Sequence, residues 1–151
     1  MKKFRYSMQS LLVIKQKLEE QAKAAYGAAK LRFNEEEERL LAMEQQREAY
    51  LEQKRQVMSA RLDVPQLNRL QMAVETMDDR IVRQKQNVRK AELAMERAEE
   101  ALTVSVMERK TQEKLRENAF EAYIQEMNAE EQKEMDERTS FQYGRSDTEE
   151  A

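Results

Sequence analysis

The sequence predicts an all-α fold, a long two-helix antiparallel coiled-coil hairpin with a C-terminal helical overhang. Three observations predict it. Ala, Glu, Lys, Leu, Arg, Gln and Met, the strong helix formers, dominate the 151 residues, while Gly occurs twice and Pro once. Apolar residues recur by fours and threes from Leu67 to Leu102, the signature of a coiled-coil seam. A single proline, Pro65, interrupts the helical pattern near the middle. Charged residues make up 38% and apolar residues 40%, with a mean hydropathy of -0.99. A sphere would have to bury many of those charges, whereas a helix pair hides only one stripe per helix.

The first helix is predicted over 7–62, with Ser7 as a plausible N-cap. Its seam reads Met8, Leu11, Lys15, Leu18, Ala22, Ala25 and Ala29, then shifts by one residue to Phe33, Leu40, Met43, Tyr50 and Val57. The shift reads as a stutter, which unwinds a coiled coil locally. Gly27 lies beside the small-residue stretch, where close helix packing is the first explanation for it and a flex point the second. Leu62-Asp63-Val64-Pro65 reads as a tight turn, in which Asp63 caps the second helix and Pro65 suits its first turn.

The second helix is predicted over 66–138. Its seam reads Leu67, Leu70, Val74, Met77, Ile81, Gln84, Val88, Ala91, Met95, Ala98 and Leu102, with Gln84 the single polar member. Beyond Leu102 the pattern slips to Val106, weakens through Arg109 and Glu113, and recovers at Phe120, Tyr123 and Met127. A short turn makes the helices antiparallel, with facing residue numbers summing to roughly 127. Tyr50 then lies near Met77. At ~1.5 Å per residue the helices measure about 84 and 110 Å, so the second overhangs by ~25 Å, roughly Ile124 to Arg138. The tail 139–151 is polar and is expected to be disordered. One domain, 1–138, follows, with pairing in trans as the alternative to folding back.

Several chemistries are excluded by what is missing. Without His or Cys, the commonest general base, the commonest metal ligand, thiolate zinc sites and disulfides are all gone. Gly27 and Gly144 alone cannot build a phosphate-binding glycine loop. No enzyme and no cofactor is expected. The Glu35–Glu38 run reads as a solvated face and not a carboxylate site. Arg80, Arg83, Lys85, Arg89 and Lys90 likewise read as a solvated face. They lack interleaved stacking aromatics, acidic residues flank them, and the net charge is -3, so no nucleic acid is expected as a partner.

The longest apolar run, Leu11 to Ile14, is too short to span a membrane, and no signal-peptidase site follows it. A soluble chain that stays in its compartment of synthesis is expected. The first thirty residues are basic and the segment from Glu130 is acidic, so the two ends would attract if they lay side by side. Protein contact is the function class left. Tyr50 and Met43 are the better anchor candidates, because two helices cover an aromatic only partly.

Two stretches at opposite ends carry a family resemblance. Phe4-Arg5-Tyr6-Ser7-Met8-Gln9-Ser10-Leu11-Leu12 is similar to the N-terminal pattern of the flagellar export protein FliJ family, and Glu131-Gln132-Lys133-Glu134-Met135-Asp136-Glu137 resembles its C-terminal one. The resemblance implies a cytoplasmic component of the bacterial flagellar type III export apparatus, peripheral at the inner face of the membrane through its partners. It implies an antiparallel hairpin similar to rotary-ATPase stalks, engaging the hexameric export ATPase, the cytoplasmic domain of the export gate and export chaperones. On that basis Phe4, Tyr6, Met8, Gln132, Lys133, Met135 and Asp136 are candidates for contact with the ATPase ring. Met43, Arg47, Tyr50, Ala73 and Met77 are candidates for contact with the gate. A holdase-type chaperone and a coiled-coil scaffold or adaptor are the competing readings.

Overall fold

The computed structural model describes residues 2–149. It is 92% helical, an all-α hairpin of two helices, α1 (Gln9–Ser59) and α2 (Val64–Glu149), packed against each other, with no strand among the described residues. Met8 caps α1, its carbonyl accepting the first helical bond from Leu12 N–H at 3.1 Å. The helix therefore starts two residues after Ser7. At the turn, Asp63 caps α2 as the sequence predicts. Its carbonyl accepts from Leu67 N–H at 3.0 Å and its Oδ1 from Gln66 N–H at 3.4 Å. Pro65 occupies the first turn of α2, where it costs no ladder bond.

The sequence reading stops the second helix near Arg138, but α2 continues to Glu149. No proline follows Pro65, and Gly144 alone costs a helix only about 1 kcal/mol. Thr139 Oγ1 bonds back to the Met135 carbonyl at 2.8 Å. Residues 128–147 are exposed throughout. Residues 150 and 151 of the expected tail lie outside the described residues.

The chain divides into two compact units, Met1–Leu18 with Val106–Ala151, and Glu19–Ser105. In the second unit the core is Leu70, Val74, Met77, Ile81 and Ala91 of α2, with Tyr26, Phe33, Leu40, Met43, Tyr50 and Val57 of α1 half-buried. Every seam position predicted for α2 from Leu67 to Leu102 is buried or half-buried. In α1, with the half-buried Leu11 and Leu51 flanking them, the covered positions include Leu12, Lys15, Glu19, Ala22, Tyr26, Ala29, Phe33, Glu36, Leu40, Met43, Arg47, Tyr50, Lys54 and Val57. That is an unbroken alternation of threes and fours, so the expected stutter is absent. The stutter came from following apolar residues: Leu18 and Ala25 are exposed, and Glu19 and Tyr26 take their places.

After Leu102 the predicted Val106 is half-buried, but so is Ser105 beside it, and Arg109 and Gln112, not Glu113, hold the following positions. Long polar side chains fill seam positions by laying their stems along the partner helix.

Glu36 shows what this requires. It is 5% exposed, unlike its neighbours Glu35, Glu37 and Glu38, so the predicted solvated face holds for three of the four. Gln84, also 5% exposed, lies opposite. Its Nε2 donates to Glu36 Oε2 at 2.6 Å and to the Glu36 carbonyl at 2.9 Å. Arg39 Nη1 reaches Glu36 Oε1 at 3.2 Å and Arg32 at 3.8 Å. Asn87 donates to Gln84 Oε1 at 3.3 Å. A buried carboxylate is tolerated because each oxygen has a partner, and no buried side-chain polar atom among the described residues is left without one.

Gly27 is exposed, and a Cβ there would meet nothing within 4 Å, so close packing does not explain it. Gly27→Ala is expected to raise unfolding free energy by about 0.5–1 kcal/mol, measured by urea titration. Gln84→Ala is expected to cost about 1–3 kcal/mol by leaving Glu36 underpaired, whereas replacing both residues by Leu should recover most of that loss. A Gln84→Ala melt matching that of the parent chain would show the pair to be idle.

Candidate protein-contact surfaces

The first unit brings the N-terminal segment against α2 near Phe120 and Tyr123. Residues 2–6 precede α1 without helical structure and lie along α2. Phe4 packs edge-on against Phe120, with ring centroids 5.1 Å apart at 79°, and tilted against Tyr123 at 5.4 Å. Phe120 and Tyr123 are one turn apart on α2 and stand 6.2 Å from each other. The Arg116 guanidinium carbon lies 6.0 Å from the Phe4 ring centroid, and Arg116 Nε donates to Gln9 Oε1 at 3.1 Å. Tyr123 OH donates to the Lys2 carbonyl, and Tyr6 OH donates to Gln112 Oε1 at 3.4 Å. Leu12, one of the buried core residues, and the Lys15–Glu108 ion pair at 2.9 Å close the unit from the α1 side.

A shallow groove runs between the N-terminal segment and α2. Lys2, Lys3 and Arg5 line one wall, Glu126 and Glu130 the other, with Tyr123 and Met127 among its lining. Basic side chains of the N-terminal segment and acidic ones of α2 thus line one groove within the unit. Past this groove α2 runs on with its side chains exposed, carrying Met135, Phe141 and Tyr143 amid acidic residues.

The ring-contact candidates divide accordingly. Phe4 and Tyr6 are half-buried and hold the N-terminal segment in place, while Met8 is exposed. Gln132, Lys133, Met135 and Asp136 are exposed on the bare stretch of α2, with Gln132 Nε2 donating to Asp136 Oδ1 at 3.2 Å. The structure does not join this stretch to Phe4 and Tyr6 by any bond among the described residues. The aromatic docking of Phe4 was not foreseeable from local spacing, because its partners lie more than a hundred residues away. Only the three-residue spacing of Phe120 and Tyr123 hinted at a paired aromatic face.

The gate-contact candidates fall together in the second unit, along its seam. Met43, Arg47, Tyr50 and Ala73 are half-buried and Met77 is buried. Arg47 Nε bonds Asp78 Oδ1 at 2.5 Å, and nearby Lys54 Nζ donates to Gln71 Oε1 at 2.6 Å. Tyr50 and Arg47 offer a partner their edges, whereas Met77 offers little. Met72 is 67% exposed but lies two positions from both Leu70 and Val74, so it faces away from the seam on the far side of α2; heptad reading passed over it.

Phe4→Ala is expected to loosen the N-terminal segment by about 1–2 kcal/mol, since each aromatic contact contributes about 0.5–1.5. Tryptic cleavage after Arg5 should then run several-fold faster, with the global melting transition little changed. Equal cleavage rates would mean that the ring cluster does not anchor the segment.

No group of acidic side chains that could hold a metal ion occurs among the described residues. No described helix is long and apolar enough to cross a membrane. A family model described as "Flagellar FliJ protein" matches residues 4–148. No curated protein matches the chain, and no solved structure matches it.

Proposed function

The chain belongs to the flagellar FliJ family and is a component of the flagellar export apparatus, and on that premise we propose that it acts there as a non-catalytic stalk coupling a hexameric export ATPase to the export gate. The observation that carries this reading is the continuation of α2 beyond its last contacts with the N-terminal segment. From Asn128 onward the helix presents every described side chain to solvent. A long helix end without an internal partner is a surface held ready for another protein. Met135, Phe141 and Tyr143 supply apolar anchors, and the surrounding carboxylates favour a basic lining in the ring.

The groove beside Phe4 adds an anchored, chemically mixed shoulder at the base of that helix. The gate would meet the second unit along the edges of Tyr50, Met43 and Arg47. Residence at the cytoplasmic face of the membrane would then come from these partners. Export chaperones would be further partners of the same apparatus, and a holdase role is the competing reading.

Removing residues 124–151 and measuring ATP hydrolysis by the export ATPase tests the ring contact. Stimulation by the full chain, lost on truncation, is expected; unchanged stimulation defeats the proposal. Suppressed aggregation of unfolded export clients without any effect on hydrolysis would favour the holdase. Tyr50→Ala, with helicity checked by circular dichroism, is expected to weaken gate binding by about 1–2 kcal/mol and leave ATPase stimulation intact. Normal gate binding by that variant would count against the second unit as the gate surface.

A further inference from the structure

Helix α1 begins at Gln9, whose Oε1 accepts from Arg116 Nε, so α2 past Arg116 lies alongside residues 2–6 instead. There the half-buried positions of α2 are Ala119, Tyr123 and Met127, and Phe4 rests on the rings of Phe120 and Tyr123. Steps of three and four carry the same line on to Glu130, Glu134 and Glu137, all exposed. Cover of the α2 seam ends where the N-terminal segment ends.

The segment is held in a way that lets it open. Exposure alternates along it: Phe4 and Tyr6 are half-buried, while Lys3, Arg5 and Ser7 are exposed, the period of two of an extended chain. In a helix the two rings would stand about 200° apart, and only one could face α2. The polar ties lie at the two ends of the segment. Tyr123 OH donates to the Lys2 carbonyl, and Tyr6 OH donates to Gln112 Oε1 at 3.4 Å, long for such a bond. Between them the hold is the Phe4 ring. Ordering five backbone residues costs an amount comparable to what these few contacts return, so closed and open states lie close in free energy.

We propose that residues 2–6 are a releasable strap, an internal occupant of the α2 seam that the partner of the bare stretch displaces in order to dock in full. With the strap lifted, Tyr123 and Met127 join Glu130, Glu134, Glu137 and Phe141 in one continuous line along α2. A partner helix following that line from Phe141 back toward α1 meets the strap at Met127 and cannot share the place with it. Binding that requires the open state shifts the strap toward it, and holding the strap closed weakens binding. The identity of the displacing partner, the ATPase ring, rests on the stalk reading; the opening of the strap does not. Phe4 thereby acquires a sign. As a direct ring contact it would favour docking, whereas as the anchor of the strap it opposes docking.

The chain contains no cysteine, so Lys3→Cys with Glu126→Cys, both exposed and both lining the groove, reports on the strap. Spin labels on this pair are expected to show a short distance and a minor, long and broad one in the free chain. Adding Phe4→Ala should leave the long one dominant, with helicity unchanged by circular dichroism. A free chain with the short distance alone, or a short distance that survives Phe4→Ala, overturns the strap whether or not an ATPase binds. Hexameric export ATPase should convert the short distance to the long one. Bridging the two thiols with a reducible bismaleimide should raise the concentration needed for half-maximal ATPase stimulation several-fold, and reductant should reverse this. Phe4→Ala alone should lower that concentration several-fold. Equal stimulation by the bridged and reduced chains, or weaker stimulation by Phe4→Ala, overturns the displacement. A parent chain that leaves ATP hydrolysis unchanged defeats the stalk reading instead, and the label distances in the free chain then decide the strap by themselves.

Discussion

Everything in this fold depends on one narrow strip per helix being shielded from water. Two helices give only a stripe of cover, and the chain has 38% charged residues to keep outside it. The strip is not purely apolar. Glu19, Glu36 and Gln84 are among its buried members, and Lys15, Arg47 and Lys54 its half-covered ones. Each polar group taken from water must find a partner, and the partners lie on the facing helix: Glu36 with Gln84, Arg47 with Asp78, Lys15 with Glu108, Lys54 with Gln71. Apolar seams tolerate slippage by a heptad at modest cost, because Leu fits where Leu was. A carboxylate bonded to one particular amide does not, since a slip leaves both buried and unpaired.

This polar content explains which half of the seam could be read from the residues alone. In α2 from Leu67 to Leu102 the heptad seam positions are apolar apart from Gln84, so the heptad stands out. In α1, Glu19 and Glu36 occupy core positions while the apolar Leu18 and Leu31 face water, and following hydrophobicity leads onto the wrong face by one residue. The turn was legible because Asp63 and Pro65 act through short-range geometry. The register was harder to read. Arg47 pairs with Asp78 and Glu36 with Gln84, a few residues short of the alignment expected from the turn, because the choice rests on contacts between distant parts of the chain. Phe4 against Phe120 and Tyr123 is of the same kind: each ring is visible in the sequence, their meeting is not.

For the contact surfaces the physical point is the division between covered and uncovered helix. The gate candidates Met43, Tyr50 and Met77 lie where the helices cover each other, so a partner there meets edges and flanking residues. The ring candidates Gln132, Met135 and Asp136 lie where α2 has no cover, so a partner there meets a whole helix. Membership in the flagellar FliJ family gives that division a setting in protein export. The charge groove between Lys2, Lys3, Arg5 and Glu126, Glu130 gives the uncovered helix a fixed base within its unit.

The central claim, that buried polar pairs set one register of α1 on α2, is tested most directly by spin-label distances. The cysteine-free chain accepts labels at exposed sites flanking the paired residues, such as Glu37 with Lys85 and Glu48 with Asp79. Both pairs should give single narrow distributions, set by a helix spacing of roughly 8–10 Å plus the reach of the two labels. Broad or double-peaked distributions, or distances displaced by a helical turn, would contradict the account.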